Sequence, residues 1–411
     1  MLDEESVRQS RLIVFYLPMH TATLLALKWA KIVKGLNPPA ILAACGLYGP
    51  LNESHLRAAG FAAVLGPEFE SDLAALVEEI AKASLEQANR NGHPRLPKLV
   101  FEVPDRAGLP PLRKYAHVVV PDGSHRAAGY TEASRGCKHL CRHCPIVPVY
   151  AGQFRVVPRE IVLADIRQQV AAGAQHITFG DPDFFNGVTH ATRIVDELHT
   201  EFPQLTYDVT IKIEHLLRHN HALPKLVKTG CLFVTSAVES LDDEVLRKLD
   251  KGHTRADFLR ALDLCANSGL TLQPTFVPFT PWTTRDSYTH LLETVAERDL
   301  ISAVPSIQLA IRLLIPSRSR LLELPEIAGM VGDFDAEKLV YPWAHPDPAL
   351  DDLATLAFGI VEEEEMGESS RASILERIWL AASRHRSTGS FPLPATSQAR
   401  AVPHLSEPWY C

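Results

Sequence analysis

The sequence predicts an α/β protein with a small doubly wound domain, a partial (β/α)6 barrel of the TIM type, a helical extension and an extended tail. Three observations lead to this fold class. Short apolar runs alternate with helical stretches over the first hundred residues, the alternation restarts after residue 125, and it stops beyond residue 320. We therefore expect four parts, at residues 1–115, 125–320, 321–386 and 387–411.

The first part has the βαβαβα order of a small parallel sheet with helices on both faces. Its predicted strands are 11–17, 40–45 and 61–65, and its predicted helices are 21–34, 52–59 and 71–83. A polar stretch at 87–98 either links two domains or precedes a last predicted strand at 99–103, and 104–114 is the expected boundary region.

The second part contains six apolar runs of strand length separated by helical stretches. The predicted strands are 129–134, 176–179, 206–213, 232–237, 271–277 and 306–314, with helices that include 158–172, 191–200, 242–250 and 255–268. Such alternation requires parallel strands with right-handed crossovers, and ligands bind at the carboxyl ends of such strands. A helical region follows at 351–384, and the last residues have the composition of an extended tail.

Composition and charge exclude several function classes. The 411 residues are 46% hydrophobic and 22% charged, which is typical of soluble globular proteins, and the net charge of −8 argues against nucleic acid as a partner. No apolar run has membrane-spanning length, and the N-terminus lacks the layout of a secretory signal. We expect a cytoplasmic protein without membrane partners, whose clustered thiols serve metal binding or catalysis.

Three of the seven cysteines lie within eight residues, directly after the first barrel strand. Cys137, Cys141 and Cys144 have the spacing C-x-x-x-C-x-x-C, and such short spacings let three thiolates bind one iron–sulfur cluster. A [4Fe–4S] cluster held by three cysteines has one iron without a protein ligand. That iron is free to be chelated by the amino and carboxylate groups of S-adenosylmethionine (SAM).

This loop at the start of a six-unit barrel resembles the radical SAM superfamily, with His143 in place of the aromatic residue that usually precedes the third cysteine. The resemblance implies that the cluster reduces SAM and breaks a carbon–sulfur bond. It also implies cofactor contacts from Gly180, from the carboxylate of Asp181 or Asp183, and from further strand ends. Those further candidates are Lys212, with Glu214 beside it, and then Ser236, Glu239 and Gln308.

Simpler interpretations stay open for several of these residues. The three cysteines and either His139 or His143 also match a structural zinc site. The segment from Gly180 to Asp183 has the composition of a helix N-cap after a strand, and Glu239 has the place of a residue that begins a helix.

The first domain resembles a shortened Rossmann-like cobalamin-binding domain, and its segment 65–70 is similar to the Gly-Glu-containing loop of such domains. The D-x-H-x-x-G motif that places a histidine under cobalt is missing, because Pro18, Met19, His20 and Thr21 follow the first strand. We therefore expect cobalamin not to be a cofactor, although a binding mode without a histidine ligand stays open.

The chain ends at Cys411 after a Pro-, Ser- and Thr-rich stretch. Together with the domain order, this resembles the radical SAM proteins named for a CUAEP or CCAEP tail. Two hypotheses follow: the natural chain continues through a selenocysteine codon, and Cys411 is a catalytic residue. The alternative is an ordinary frayed end.

The resulting expectation is an enzyme that cleaves SAM and uses a carbon radical on a small molecule or peptide, with a reductant such as flavodoxin or ferredoxin. The default is a 5′-deoxyadenosyl radical. The alternatives are 3-amino-3-carboxypropyl transfer and an electron-transfer or sensing module without turnover.

Overall fold

The computed structural model describes residues 3–82, 99–365, 367, 370–383, 391 and 401–407. Within this part the strands are β1 (Leu12–Tyr16), β2 (Ile41–Cys45), β3 (Phe61–Val64), β4 (His117–Val119), β5 (His125–Thr131), β6 (Ser134–Gly136), β7 (Phe154–Val156), β8 (His176–Phe179), β9 (Thr206–Thr210), β10 (Cys231–Glu239), β11 (Thr271–Phe276) and β12 (His404–Leu405).

The helices are α1 (Glu4–Gln9), α2 (His20–Leu36), α3 (Tyr48–Leu51), α4 (Glu53–Ala58), α5 (Glu70–Ala81), α6 (Val147–Tyr150), α7 (Arg159–Ala171), α8 (Val188–Glu201), α9 (Ile213–Arg218), α10 (Leu223–Lys228), α11 (Asp243–Leu249), α12 (Arg255–Asn267), α13 (Arg285–Glu297), α14 (Pro348–Glu365) and α15 (Arg371–Ser383). None of the helices in the described residues is long and apolar enough to cross a lipid bilayer.

The first three strands form a parallel sheet in the order β1-β2-β3. One face is covered by α2 through Ala26, Ala30 and Val33, and the other by α5 through Leu76 and Ile80. The middle strand β2 is apolar throughout because both of its faces are covered. The predicted small doubly wound sheet is therefore confirmed.

The main sheet has seven strands in the order β11-β10-β9-β8-β5-β4-β12. Within this sheet β5, β8, β9, β10 and β11 are parallel and curl around the largest apolar core, which also receives α14 and α15. This curled sheet confirms the partial barrel. Polar side chains that follow the carboxyl ends of the strands are brought to one rim.

The predicted sixth barrel strand at 306–314 is wrong. Ser306–Leu309 forms a 3-10 helix, and the segment after it makes a single bridge between Phe279 and Arg312. The side-chain carbonyl of Gln308 accepts a hydrogen bond from the backbone amide of Phe276 at 2.8 Å. The side chain of Gln308 thus accepts the hydrogen bond that the backbone of a sixth strand would otherwise have accepted from Phe276.

The predicted strand at 99–103 is also wrong, and two antiparallel pairings follow it. Phe101 lies under the guanidinium of Arg135, 5.4 Å from the ring centre, and joins no sheet. The strand β5 begins four residues before the predicted start and pairs with β4, and β6 pairs with β7. The predicted linker at 87–98 lies outside the described residues.

Part of the C-terminal segment returns to the barrel. The short strand β12 pairs antiparallel with β4, and the carbonyl of Pro403 accepts a hydrogen bond from the Gln273 amide on β11. The two edge strands of the main sheet are therefore linked through residues 403–405. The expected extended tail is a strand at this point.

The first sheet lies against the segment that carries the cysteines. Glu70 pairs with Arg135 at 2.5 Å, and the fully buried carboxylate of Glu68 pairs with Arg155 at 3.3 Å. Glu68 lies in the loop after β3, Glu70 begins α5, and both arginines belong to the β6–β7 pair. The carboxyl ends of the first sheet are thereby held next to the rim of the barrel.

Candidate active site

The cysteine loop leaves the main sheet at the end of β5 and is framed by β6 and β7. Gly136 has φ +77°, and a Cβ there would lie 2.4 Å from the Tyr150 ring, so only glycine fits at this turn. Asn186 accepts from the backbone amide of Lys138 and donates to the carbonyl of Gly136, both at 3.4 Å. On the other side, the amide of Arg142 donates to the carbonyl of Leu249 at 2.9 Å.

The three loop cysteines are unpaired thiols in a shielded position. Cys141 is buried, and Cys137 and Cys144 are partly buried. Burial raises the pKa of the Cys137 thiol, and it raises the pKa of Cys144 to about 12. Free thiols here would hold their protons at neutral pH, and a bound metal is the kind of partner that displaces them.

The spacing of the sulfur atoms argues against one zinc ion. Zinc–sulfur bonds of about 2.3 Å put the sulfurs of a tetrahedral site about 3.8 Å apart. Among the residues that the structure describes, the only set of three potential ligand atoms within 4.8 Å of one another contains none of the cysteines. At least one pair of the three sulfurs therefore lies more than 4.8 Å apart, farther than one zinc ion holds its ligands, whereas a cluster with several irons can span such a separation.

Two buried lysines carry positive charge toward this loop. The ammonium of Lys212 lies 3.8 Å from the Cys141 sulfur and 3.9 Å from a carboxylate oxygen of Glu214. Lys251 is 3% exposed, and its pKa is raised, because the attraction of Glu239 and the loop sulfurs outweighs the effect of burial. Such charges would offset the negative charge of a cluster held by three thiolates.

Glu239 is the centre of a buried ionic group at the end of β10. Its Oε1 accepts from His143 Nε2 at 3.1 Å and from Lys251 Nζ at 3.2 Å. Burial alone would raise the pKa of this carboxyl, but Lys251 and His143 lower it to about 2. Glu239 also has φ +69°, at a register shift between β10 and β11, and such strain in a non-glycine residue clusters at functional sites. The group links β10 to the cysteine loop.

The structure gives Gly180 and Asp181 structural tasks. A Cβ at Gly180 would lie 1.8 Å from the Tyr130 hydroxyl oxygen. The buried Asp181 carboxylate accepts from the Ala133 amide at 2.8 Å and from the Ser134 hydroxyl at 2.5 Å, and burial raises its pKa to about 7. Both residues hold the start of the cysteine loop, and their cofactor roles stay predictions.

Asp183 is fully buried between two histidines. Its Oδ2 lies 3.2 Å from His139 Nε2 and 2.6 Å from His215 Nδ1, while Oδ1 accepts from the amide of Phe185 and caps the 3-10 helix Phe184–Gly187. Burial alone would raise the pKa of this carboxyl, but the two histidines lower it to about 2. Asp183 is thus the expected N-cap, here of the 3-10 helix Phe184–Gly187, and its second oxygen is already in contact with His139 and His215.

Ser236 and His253 are among the buried polar residues of the barrel that have side-chain atoms without a hydrogen-bond partner in the described part of the chain. The hydroxyl of Ser236 is fully buried on β10, and both ring nitrogens of His253 lack a partner. His253 borders a cavity of about 380 Å³ that Glu214 and Gly252 also line. Unsatisfied buried polar groups call for a ligand, so this region fits a polar cofactor such as SAM.

Sequence reasoning missed His215 as a site residue, and it did not single out Lys251 or His253. The segment 249–253, which follows the first helix after β10, is similar in sequence to a superfamily segment near the cofactor, but the likeness does not say which of its side chains matters. His215 had no such signal, because only the fold brings it to Asp183. Cys411, the predicted catalytic residue, lies outside the described residues.

The first sheet offers no free histidine at the site where the cobalt-binding motif is missing. His20 begins α2, and its Nε2 lies 2.7 Å from the carbonyl oxygen of Lys338. The turn after β2 is tight, because Gly46 has φ +111° and a Cβ there would lie 2.8 Å from the carbonyl oxygen of Leu17. These residues fit cobalamin only in a mode without a histidine ligand from this turn.

Residues 131–289 match the family model described as the Radical SAM superfamily. The hopanoid C-3 methylase of Methylococcus capsulatus is 25% identical over 151 residues, which cover 37% of this chain and 29% of that protein. A tRNA-2-methylthio-N(6)-dimethylallyladenosine synthase of Sorangium cellulosum is 29% identical over 200 residues, covering 42% of this chain and 40% of the synthase. This chain thus matches less than half the length of either relative.

Solved structures share the fold over most of the chain. The cobalamin-dependent SAM radical enzyme OxsB, with aqua-cobalamin and SAM bound, has a TM-score of 0.67 at 14% identity and covers 93% of this chain and 64% of OxsB. The radical SAM methyltransferase TsrM of Kitasatospora setae, with tryptophan and a SAM analogue bound, has a TM-score of 0.60 at 16% identity, covering 79% of this chain and 67% of TsrM.

These structures remove the support for one expectation. We expected cobalamin not to be a cofactor, yet OxsB and TsrM were both solved with cobalamin bound. The missing histidine motif is therefore not sufficient ground to exclude it. Residues 131–289, which include the cysteine loop at the end of β5 and most of the partial barrel, therefore form a radical SAM domain, and such a domain implies a [4Fe–4S] cluster and SAM.

Proposed function

We propose that this protein is an enzyme that cleaves SAM reductively and uses the carbon radical on a small molecule or peptide. The observation that carries the proposal is the wide, shielded set of three thiols at Cys137, Cys141 and Cys144. A [4Fe–4S] cluster, when bound there, supplies one electron to the SAM sulfonium, which breaks a carbon–sulfur bond and leaves a carbon radical.

The residues around the loop set the conditions for that chemistry. Lys212 and Lys251 bring positive charge to the thiolates, which favours the ionised form that binds iron. Glu239 holds Lys251 and His143 in one ionic group, so the loop and the end of β10 move as a unit. The surrounding burial excludes water, which protects a reactive radical from side reactions.

Among the predicted cofactor residues, we favour Ser236, Lys212 and Glu239 as the contacts of SAM. Ser236 has an unsatisfied hydroxyl, and the two charged residues lie at the loop itself. Asp181, Asp183 and Gln308 already use their side-chain oxygens within the protein. Gly180 has no side chain and could contact SAM only through its backbone N–H and carbonyl groups.

Cobalamin is part of the proposal as a second cofactor. The carboxyl ends of β1, β2 and β3 lie next to the cysteine segment through the Glu68–Arg155 and Glu70–Arg135 pairs. Ligands of doubly wound sheets bind at these ends. Binding there would need no protein histidine, in agreement with the engaged His20.

The substrate and the reductant are proposed by class. We expect a small molecule or a peptide as the substrate and a flavodoxin or ferredoxin as the electron donor. A 5′-deoxyadenosyl radical is the default product of SAM cleavage, and 3-amino-3-carboxypropyl transfer is the alternative.

The test is anaerobic incubation of the cluster-loaded protein with SAM and dithionite, followed by mass spectrometry of the nucleoside products. The proposal predicts 5′-deoxyadenosine and methionine, whereas methylthioadenosine would indicate the alternative cleavage. Cys141→Ala should abolish either product, while Cys45→Ala, at a buried cysteine outside the loop, should keep it. A protein that holds four irons per chain and forms neither nucleoside would be an electron-transfer or sensing module instead.

A further inference from the structure

Beside the cysteine loop lies a second set of potential metal ligands that uses no sulfur. His139, Asp183 and His215 each offer one ligand atom, and these atoms all lie within 4.8 Å of one another. Asp183 and His215 are fully buried, and the His139 side chain is 13% exposed. We propose that these three residues bind one divalent transition-metal ion, separate from the iron–sulfur cluster.

His215 and Asp183 lie so close together that a proton or a metal cation must be shared between them. His215 Nδ1 lies 2.6 Å from Asp183 Oδ2, yet neither ring nitrogen of His215 makes a hydrogen bond of acceptable geometry within the described residues. A buried imidazole without a partner is costly. A cation shared by His215 and Asp183 would satisfy both groups.

The distances suit a metal with nitrogen and oxygen ligands. Bonds of 2.0–2.2 Å from zinc to histidine and carboxylate put ligand atoms about 3.3 Å apart in a tetrahedral site. His139 Nε2 lies 3.2 Å from Asp183 Oδ2. His215 Nδ1 lies 2.6 Å from the same oxygen and would have to move outward by roughly 0.7 Å to reach that separation. Three ligands leave a fourth position for water or substrate.

The ligands are held by groups of the kind that orient metal-binding side chains. The second oxygen of Asp183 accepts from the backbone amide of Phe185 at 3.1 Å. The other nitrogen of His139, Nδ1, lies 3.7 Å from a carboxylate oxygen of Glu214. A carboxylate behind a ligating histidine fixes the ring and raises its basicity.

An access route and a preference among metals follow from the surroundings. Glu214, whose carboxylate lies 3.7 Å from His139 Nδ1, borders the cavity of about 380 Å³, so solvent reaches the immediate neighbourhood of one ligand. Two imidazoles and one carboxylate suit Zn²⁺ or Fe²⁺, whereas iron–sulfur clusters use thiolates. The two sites therefore differ in ligand chemistry although they share one loop.

Zinc is the probe for the test. The cluster-loaded protein is dialysed against micromolar Zn²⁺ under anaerobic conditions and desalted, and zinc and iron are measured per chain. We expect one zinc in addition to four irons. X-ray absorption spectroscopy at the zinc edge should show nitrogen or oxygen ligands near 2.0 Å from the zinc and no sulfur ligand at 2.3 Å.

Asp183→Asn keeps the shape and one carbonyl oxygen but removes the anionic ligand. It should retain the four irons and weaken zinc binding about a hundredfold, since changes behind a ligand already cost about 10–100-fold. His215→Ala lies outside the cysteine loop and should likewise keep the four irons and weaken zinc binding. If Asp183→Asn loses iron, His215→Ala is the variant that tests the zinc site. The matched control is His219→Ala, whose ring lies 5.6 Å from that of His215 but outside the ligand set.

Three results would overturn the proposal. The first is wild-type protein that binds less than a tenth of a zinc per chain. The second is zinc binding that survives both Asp183→Asn and His215→Ala, and the third is sulfur among the zinc ligands. Iron content and the cluster absorption report separately on the iron–sulfur site, so failure here would not be failure of the proposed function.

Discussion

At the scale of single residues, the site depends on charges that are buried together. Glu239 remains ionised because Lys251 and His143 offset its burial, with a pKa of about 2 against an ordinary value of 4.5. A difference of this size corresponds to about 3 kcal/mol of stability at neutral pH. Because the pKa is lowered on folding, this stabilisation is present above about pH 5 and is lost as the pH falls toward 2.

Glu239→Gln should therefore destabilise the protein at pH 7 by about 3 kcal/mol, because Lys251 and His143 lose their buried counter-charge. The measurement is urea denaturation of the cluster-free protein at several pH values. The difference between wild type and variant should shrink as the pH falls from 5 toward 2. Glu244→Gln, at an exposed glutamate that pairs with Arg247, should leave the midpoint unchanged. A difference that stays constant over this range would contradict the assignment.

Gly136→Ala should disturb the cysteine loop, since it combines a positive φ with overlap on the Tyr150 ring. Gly173→Ala is the matched control, because Gly173 has φ +98° but open space around its Cβ position. The control should cost about 1–2 kcal/mol from backbone strain alone. Gly136→Ala should cost more than that and should lower the iron content after reconstitution. Equal iron loading in the two variants would show that the turn does not position the cysteines.

The sequence was sufficient for the cysteines but not for their charged neighbours. The spacing of Cys137, Cys141 and Cys144 is local, so it can be recognised without a fold. The contact of His143 with Glu239 lies at a register shift between β10 and β11, and that of His215 with Asp183 depends on the packing of α9 against the loop after β8. Neither a strand register shift nor the packing of distant elements leaves a local pattern in the sequence.

At the scale of elements, the parallel strands and long helices followed from apolar periodicity, and the irregular elements did not. The sixth strand failed because Gln308 occupies the Phe276 amide. The β4–β5 hairpin was missed although Asp122-Gly123 between the two strands is a strong turn signal. The pairing of β12 with β4 joins residues almost 290 positions apart, and sequence periodicity carries no information on such partners.

Ending the chain at residue 400 should destabilise the barrel, because it removes β12 and the link from Pro403 to Gln273. We expect a loss of about 1–3 kcal/mol from the lost backbone hydrogen bonds and exposed apolar surface, measured by thermal denaturation. Cys411→Ala should leave the melting temperature unchanged and should slow substrate turnover if Cys411 is catalytic. A truncated protein as stable as the full chain would contradict the linking role of β12.

At the scale of the whole molecule, the first sheet is joined to the barrel beside the cysteine segment. The ion pairs of Glu68 and Glu70 fix the carboxyl ends of the first sheet beside the cysteine segment. Two cofactors, one at each part, would then face a common space. This arrangement explains why a domain without the histidine motif is still docked at the rim of the barrel.

The cobalamin proposal predicts that the full chain retains about one aquacobalamin per chain after desalting, measured by its visible absorption. The double variant Glu68→Gln, Glu70→Gln should retain less, since the sheet is no longer held against the β6–β7 pair. Thermal denaturation of the same variant verifies that it is folded. Absence of retained cobalamin at a tenfold excess would contradict the proposal and would leave the iron–sulfur site unaffected.

The central claim is that three cysteines hold a cluster whose fourth iron is open to SAM. Electron paramagnetic resonance of the dithionite-reduced, cluster-loaded protein, recorded without and with SAM, tests it most directly. The account predicts a [4Fe–4S]⁺ signal whose g values shift when SAM is added, and no such signal after all three cysteines are replaced by alanine. A spectrum that SAM leaves unchanged, or a signal that survives the triple replacement, would contradict it.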